Sequence, residues 1–79
     1  MHKKIRVMIT GCGAPGIKGT LFSLRNNPDG TEIYTVGVDM DDRAVGKYFV
    51  DAFYVVPGPE DGQYIDALLN ICTAENVDV

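Results

Sequence analysis

Gly11-Cys12-Gly13-Ala14-Pro15-Gly16 has the spacing G-x-G-x-x-G, and the chemistry such a stretch can do is contact with a phosphate. In that pattern the first glycine permits a tight turn and the second lets a phosphate approach the backbone. The third allows a helix to pack closely on a strand. A helix opening at this point adds unpaired N–H groups and the positive end of its dipole. Asp39 lies 23 positions after Gly16, just beyond a second apolar run, where an acid can accept hydrogen bonds from a ribose diol. Gly11, Gly13, Gly16 and Asp39 are therefore the candidate substrate- or anion-binding set. Two readings stay open: a dinucleotide site, or a tight strand-to-helix junction in which the aspartate only caps the next helix.

Sharper phosphate motifs are not met. A P-loop needs G-x-x-x-x-G-K-[ST], but Gly16 is followed by Ile17, Lys18 and Gly19, so the lysine is late and the hydroxyl is missing. Gly13, Gly16 and Gly19 fit G-x-x-G-x-x-G as in short-chain dehydrogenases. Yet Tyr34, Tyr48, Tyr54 and Tyr64 are followed four places on by Val38, Ala52, Gly58 and Leu68, never by a lysine. A ligand-gated NAD-binding module of the channel-regulator type keeps its strand-end aspartate and remains an alternative. Cys12 sits near the helix dipole, which favours a thiolate, but no base adjoins it, and a small side chain filling a tight turn is the better reading. Cys72 falls on an apolar helical stripe and reads as core. The run Tyr48, Phe49, Phe53 and Tyr54 reads as packing between helix and sheet. Asp39, Asp41 and Asp42 read as a solvated helix start, favoured by the dipole over a metal cluster. His2 is the only histidine, too few for an imidazole-based metal site. No catalytic residue and no metal ligand is assigned.

The elements around these residues alternate. Ile5, Val7 and Ile9 mark a first buried strand. Ile17, Thr20, Leu21 and Leu24 draw one stripe of a helix, which Asn26 to Gly30 terminates because Pro28 cannot continue the ladder. A β-branched strand runs from Glu32 to Val38. A short helix through Ala44, Val45 and Tyr48 comes next, weakened by Gly46. A third strand spans Phe53 to Val56 and is cut off by Pro57-Gly58-Pro59. Ile65, Leu68, Leu69 and Cys72 predict a helix from about Asp61 to Glu75, and Val77-Asp78-Val79 begins a fourth strand. The order β-α-β-α-β-α-β predicts a partial doubly wound, Rossmann-like parallel sheet with helices on both faces. Residues 1–79 then form one domain that is cut off at the start of its fourth strand: a fragment, a split-gene subunit or a truncated product. Such a chain is expected to be marginally stable, or to associate with copies of itself through an open sheet edge.

Composition narrows the partners. The 79 residues are 46% hydrophobic and 23% charged, a profile of a globular chain. A formal net charge of −4 opposes nucleic-acid binding, which needs a basic surface, and the basic residues Lys3, Lys4 and Arg6 form only a short cluster. No apolar run approaches the roughly 18 residues of a membrane span. Two cysteines 60 positions apart suggest neither a disulfide framework nor a zinc site, so a cytoplasmic setting is expected.

The stretches Arg6-Val-Met-Ile-Thr-Gly-Cys-Gly-Ala-Pro-Gly16, Val36-Gly-Val-Asp-Met-Asp41 and Val50-Asp-Ala-Phe-Tyr-Val-Val-Pro57 resemble the N-terminal domain of carbamoyl-phosphate-synthase-like ATP-grasp ligases. Tyr64-Ile-Asp-Ala-Leu-Leu-Asn-Ile-Cys72 and Glu75-Asn-Val-Asp-Val79 extend the likeness over nearly the whole chain. The resemblance implies a pre-ATP-grasp domain on the substrate side of a carboxylate–amine ligase, not catalytic alone. Its expected partner is the remaining ATP-grasp domain or subunit, which brings ATP and Mg²⁺ to form an acyl phosphate. No cofactor is expected in this chain. The turn itself differs from the synthases proper, where Gly-Ser-Gly-Pro is followed by an arginine and Ile-Gly-Gln. Here Ala14-Pro15-Gly16-Ile17-Lys18-Gly19 stands in that place.

Overall fold

The computed structural model describes residues 4–79; His2 and Lys3 lie outside them. Three parallel strands, β1 (Lys4–Ile9), β2 (Glu32–Asp39) and β3 (Ala52–Val55), pair in the order β1-β2-β3. Helix α1 (Ile17–Arg25) joins the first two strands, a single 3₁₀ turn (Val45–Tyr48) lies between the second and third, and helix α2 (Tyr64–Glu75) comes after β3. Lys4 stands opposite Glu32 and Ile9 opposite Gly37, while Val36 pairs with Ala52 and Asp39 with Val55. The chain then returns to the free edge of β1. The Met8 N–H donates to the Val79 carbonyl at 2.9 Å, and the Val79 N–H to the Arg6 carbonyl at 3.2 Å. Those two bonds follow the pattern of a parallel ladder and lie on the edge of β1 away from β2, but residues 77–79 form no strand of the sheet, which has three. The fold is a doubly wound, Rossmann-like α/β sheet.

Strand periodicity divides the core in two. Successive β2 side chains point to opposite faces. Val36 and Val38 pack with Val56 and with Ile71 of α2, joined by Tyr64, Ala67 and Leu68. On the other face Cys12, Ile17 and Leu21 pack with Ile9, Phe49, Val50 and Phe53. Burying a side chain of this size contributes about 1.5–3 kcal/mol, so the two clusters fix both helices on the sheet. Thr35, fully buried, is satisfied by Asp51: its N–H and hydroxyl donate to Asp51 Oδ2 at 2.8 and 2.9 Å.

Three expectations are corrected. The buried stripe of α2 is Tyr64, Ala67, Leu68 and Ile71, whereas Ile65 and Leu69 are exposed and Cys72 is only half-buried, 3.9 Å from the Met8 sulfur. The helix also starts three residues later than expected, because Asp61 forms a turn whose carboxylate accepts the Gln63 N–H at 2.8 Å. The short helix expected in the middle crossover is present, as a single 3₁₀ turn over Val45–Tyr48. A Cβ on Gly46 would overlap the carbonyl oxygen and sulfur of Cys12, so the segment is drawn against the glycine turn too tightly for a full helix. Tyr48 is exposed, while Phe49, Phe53 and Tyr54 pack as expected. Among the described residues no helix is long and apolar enough to cross a membrane.

Candidate functional site

The glycine turn is tied to the end of β2 by two backbone donors. The Cys12 N–H donates to the Val38 carbonyl at 3.1 Å and the Gly13 N–H to Asp39 Oδ2 at 2.8 Å. The other Asp39 oxygen accepts the Asp41 N–H at 3.0 Å, and the Asp39 carbonyl accepts the Val56 N–H at 3.0 Å. One residue thereby joins the turn after β1, the bend after β2 and the end of β3. The amide that a G-x-G-x-x-G turn offers to a phosphate is here given to a carboxylate of the same chain. Among the described residues no cluster of three or more Asp, Glu, Cys or His is placed to hold a metal ion. Asp41 instead pairs with Arg43 at 3.1 Å, and that hydrogen bond holds its carboxyl below the ordinary value.

Gly11 and Gly13 stand close to Asp39, and Gly16 does not join them. It caps α1 with φ of 92°, a left-handed conformation that favours glycine, without any side-chain hydrogen bond to the helix start. Cys12 is fully buried, its sulfur lodged where a Cβ on Gly37 would come within 2.7 Å. Burial, and secondarily the charge of Asp39, push its thiol above the ordinary value. This environment favours the protonated thiol, and the buried side chain fills the turn.

Above the ends of the strands lies a cleft of about 130 Å³. Val38 and Val56 form its base, Gly11 and Asp39 its polar side, and Met40, Pro57, Pro59 and Tyr64 its walls. Asp39 and Gly11, in the candidate set on spacing, both line this cleft; Tyr64, Pro57 and Pro59 line it as well and were outside that set. Their signal was position: each comes after the end of β3, where open parallel sheets place ligand-binding loops.

Fold and cleft together define a doubly wound α/β domain with a small opening at the carboxyl ends of its strands. The PylC-like N-terminal domain family matches residues 7–79, and the chain belongs to that family. It is the N-terminal domain of a carbamoyl-phosphate-synthase-like ATP-grasp ligase. No curated protein matches the chain.

Proposed function

We propose that the domain forms one wall of the substrate site of an ATP-grasp carboxylate–amine ligase, with Gly11, Gly13 and Asp39 at the substrate and Gly16 setting the helix behind them. ATP and Mg²⁺ are then held by the ATP-grasp portion, against which this domain packs, and the acyl-transfer chemistry takes place there. The supporting observation is the cleft over the strand ends. Its volume of about 130 Å³ falls well below the roughly 300–1,000 Å³ of a complete small-molecule pocket, as expected of a surface that needs a second wall. Both cysteines are free, in keeping with a cytoplasmic enzyme, and the outer edge of β3 is open to a second copy.

The rival is a dinucleotide-binding module, favoured by the glycine spacing. Against it stands the Asp39 carboxylate on the Gly13 amide, which sets a negative charge where a pyrophosphate would rest. Two measurements on the complete ligase separate these readings. Val56→Phe, which fills the cleft, is expected to raise KM for a non-nucleotide substrate about tenfold or more, an effect of about 1.4 kcal/mol, and leave KM for ATP unchanged. NADH and NADPH titrations are expected to show no binding. Tight NAD(P)H binding that is lost in Asp39→Ala would overturn the proposal.

A further inference from the structure

Helix α1 carries charge of the opposite sign to the chain. The formal net charge of the chain is −4, yet Ile17–Arg25 contains Lys18 and Arg25 and no acidic residue. Lys18, Leu21, Phe22 and Arg25 have the spacing i, i+3, i+4, i+7 and share one side of the helix. With Asn26 and Phe49 they line a groove of about 300 Å³, which shares no residue with the cleft above the strand ends. Among the described residues the ion pairs join Arg6 to Glu75 and Arg43 to Asp41, so neither groove cation is paired with a carboxylate. Both are nonetheless held in place. Lys18 Nζ lies 5.1 Å from the centre of the Phe49 ring, and the Arg25 guanidinium donates to the Phe49 carbonyl. Phe22, between them along the helix, is 68% exposed.

We infer that this groove docks a short acidic helix of a partner protein, with an apolar residue seated on Phe22 and a carboxylate at each end. Seven helical positions separate Lys18 from Arg25, about 10.5 Å along the axis at about 1.5 Å per residue. A small anion reaches only one of the two cations. A helix with acids seven positions apart repeats their distance, and the residues between those acids bring an apolar anchor to Phe22 and Phe49. The two charge pairs then fix the register of the partner. A second copy of the chain does not fit through the same face. Antiparallel α1 helices would set Lys18 against Arg25, and parallel ones would set each cation against itself. Helix α2 does not supply the complement either: its acids are Asp66 and Glu75, which lack the spacing, and Glu75 is taken by Arg6 and Tyr54. Because Phe49 holds both cations beforehand, docking has less side-chain freedom to remove.

The probe is a dye-labelled amphipathic peptide with glutamates seven positions apart and leucines at the third and fourth positions after the first glutamate. Its binding to the full chain is followed by fluorescence anisotropy and by the backbone amide resonances of Lys18, Phe22 and Arg25. Saturable binding at those amides is expected, with a gain in helical circular dichroism and a loss of affinity as salt rises. The same peptide with lysines for glutamates is expected not to bind. Lys18→Glu combined with Arg25→Glu is expected to weaken the glutamate peptide about tenfold or more and to admit the lysine peptide instead. Phe22→Ser, at an exposed position, is expected to weaken it about fivefold and to leave the denaturant midpoint of the chain in place. Absence of binding, or binding that survives both sets of substitutions, overturns the inference. Concentration-dependent self-association that Phe22→Ser removes also overturns it and gives the face to a second copy. Binding of phosphatidylglycerol vesicles in preference to the peptide overturns it in favour of a membrane surface.

Discussion

Two carboxylates, Asp39 and Glu75, anchor two regions of this domain, and they are used in opposite ways. Glu75 ends α2 and is closed off by protein. Its Oε1 accepts from the Arg6 guanidinium at 3.1 Å and its Oε2 from the Tyr54 hydroxyl, while its backbone carbonyl accepts Arg6 Nε. The guanidinium also lies 4.0 Å from the centre of the Tyr34 ring, a cation–π contact that shields it from water. Arg6, Tyr34, Tyr54 and Glu75 thus hold the end of α2 on the sheet. Asp39 instead takes its partners from backbone amides and keeps a face toward the cleft. A carboxylate saturated by side chains stabilises a fold; one held by two amides beside an opening keeps acceptor capacity free.

This contrast requires the turn carrying Asp39's partner to be a rigid support, and the largest expected effect tests that. Gly46→Ala places a Cβ against the Cys12 carbonyl and sulfur, with backbone on one side and a fully buried side chain on the other. It is expected to cost about 3 kcal/mol, the upper range for overpacking, read as a drop in the denaturant midpoint. A loss below about 1 kcal/mol would mean that the turn yields, and that Asp39 is not held in one place.

Next in size is the crossed pair Glu75→Ala and Asp39→Asn. Removing Glu75 leaves the half-buried Arg6 and the Tyr54 hydroxyl without their side-chain acceptor. The expected destabilisation is about 2 kcal/mol, with the backbone amide resonances of Gly13 and Asp41 at the cleft unchanged. Asp39→Asn is expected to cost about 1 kcal/mol while shifting those resonances. If the two variants moved stability and those resonances in the same proportion, the division between the clasp and the cleft would not hold.

The cleft side is more legible in the sequence than the clasp, and the residues themselves give the reason. The glycine turn and Asp39 announce themselves through spacing, because backbone geometry at a strand-to-helix junction constrains consecutive positions. Arg6 and Tyr54 meet Glu75 across sequence separations of 69 and 21, and no local pattern records such a meeting. The α2 stripe shows the same limit. Ile65, Leu68, Leu69 and Cys72 have the helical spacing, but so do Tyr64, Ala67, Leu68 and Ile71, and the two sets share Leu68. Periodicity alone could not choose between them; the packing of Ile71 on Val36 and Val38 did. Gly46 read as a flaw in a helix because its partner, Cys12, lies 34 positions earlier. β1, β2 and β3, by contrast, lie within a residue of where their pattern puts them, since alternation and β-branching act locally.

The smallest effect expected is a pH limb confined to the clasp. The hydrogen bond to Glu75, then burial and the charge of Glu75, raise the Tyr54 phenol above its ordinary value of 10.0. The protonated phenol is the form that donates, so the folded state holds this proton more tightly than the unfolded chain. The resulting stabilisation is fully present below pH 10.0 and is lost as pH rises through the higher folded value. Tyr54→Phe removes the donor, and its stability is expected to track the wild-type curve with that alkaline decline absent. Denaturant titrations between neutral and strongly alkaline pH measure the difference between the two proteins. Asp39→Asn, which leaves the clasp intact, is expected to retain the limb. Its disappearance in Asp39→Asn would show that the two carboxylates are coupled through β2, and that the clasp and the cleft respond as one unit.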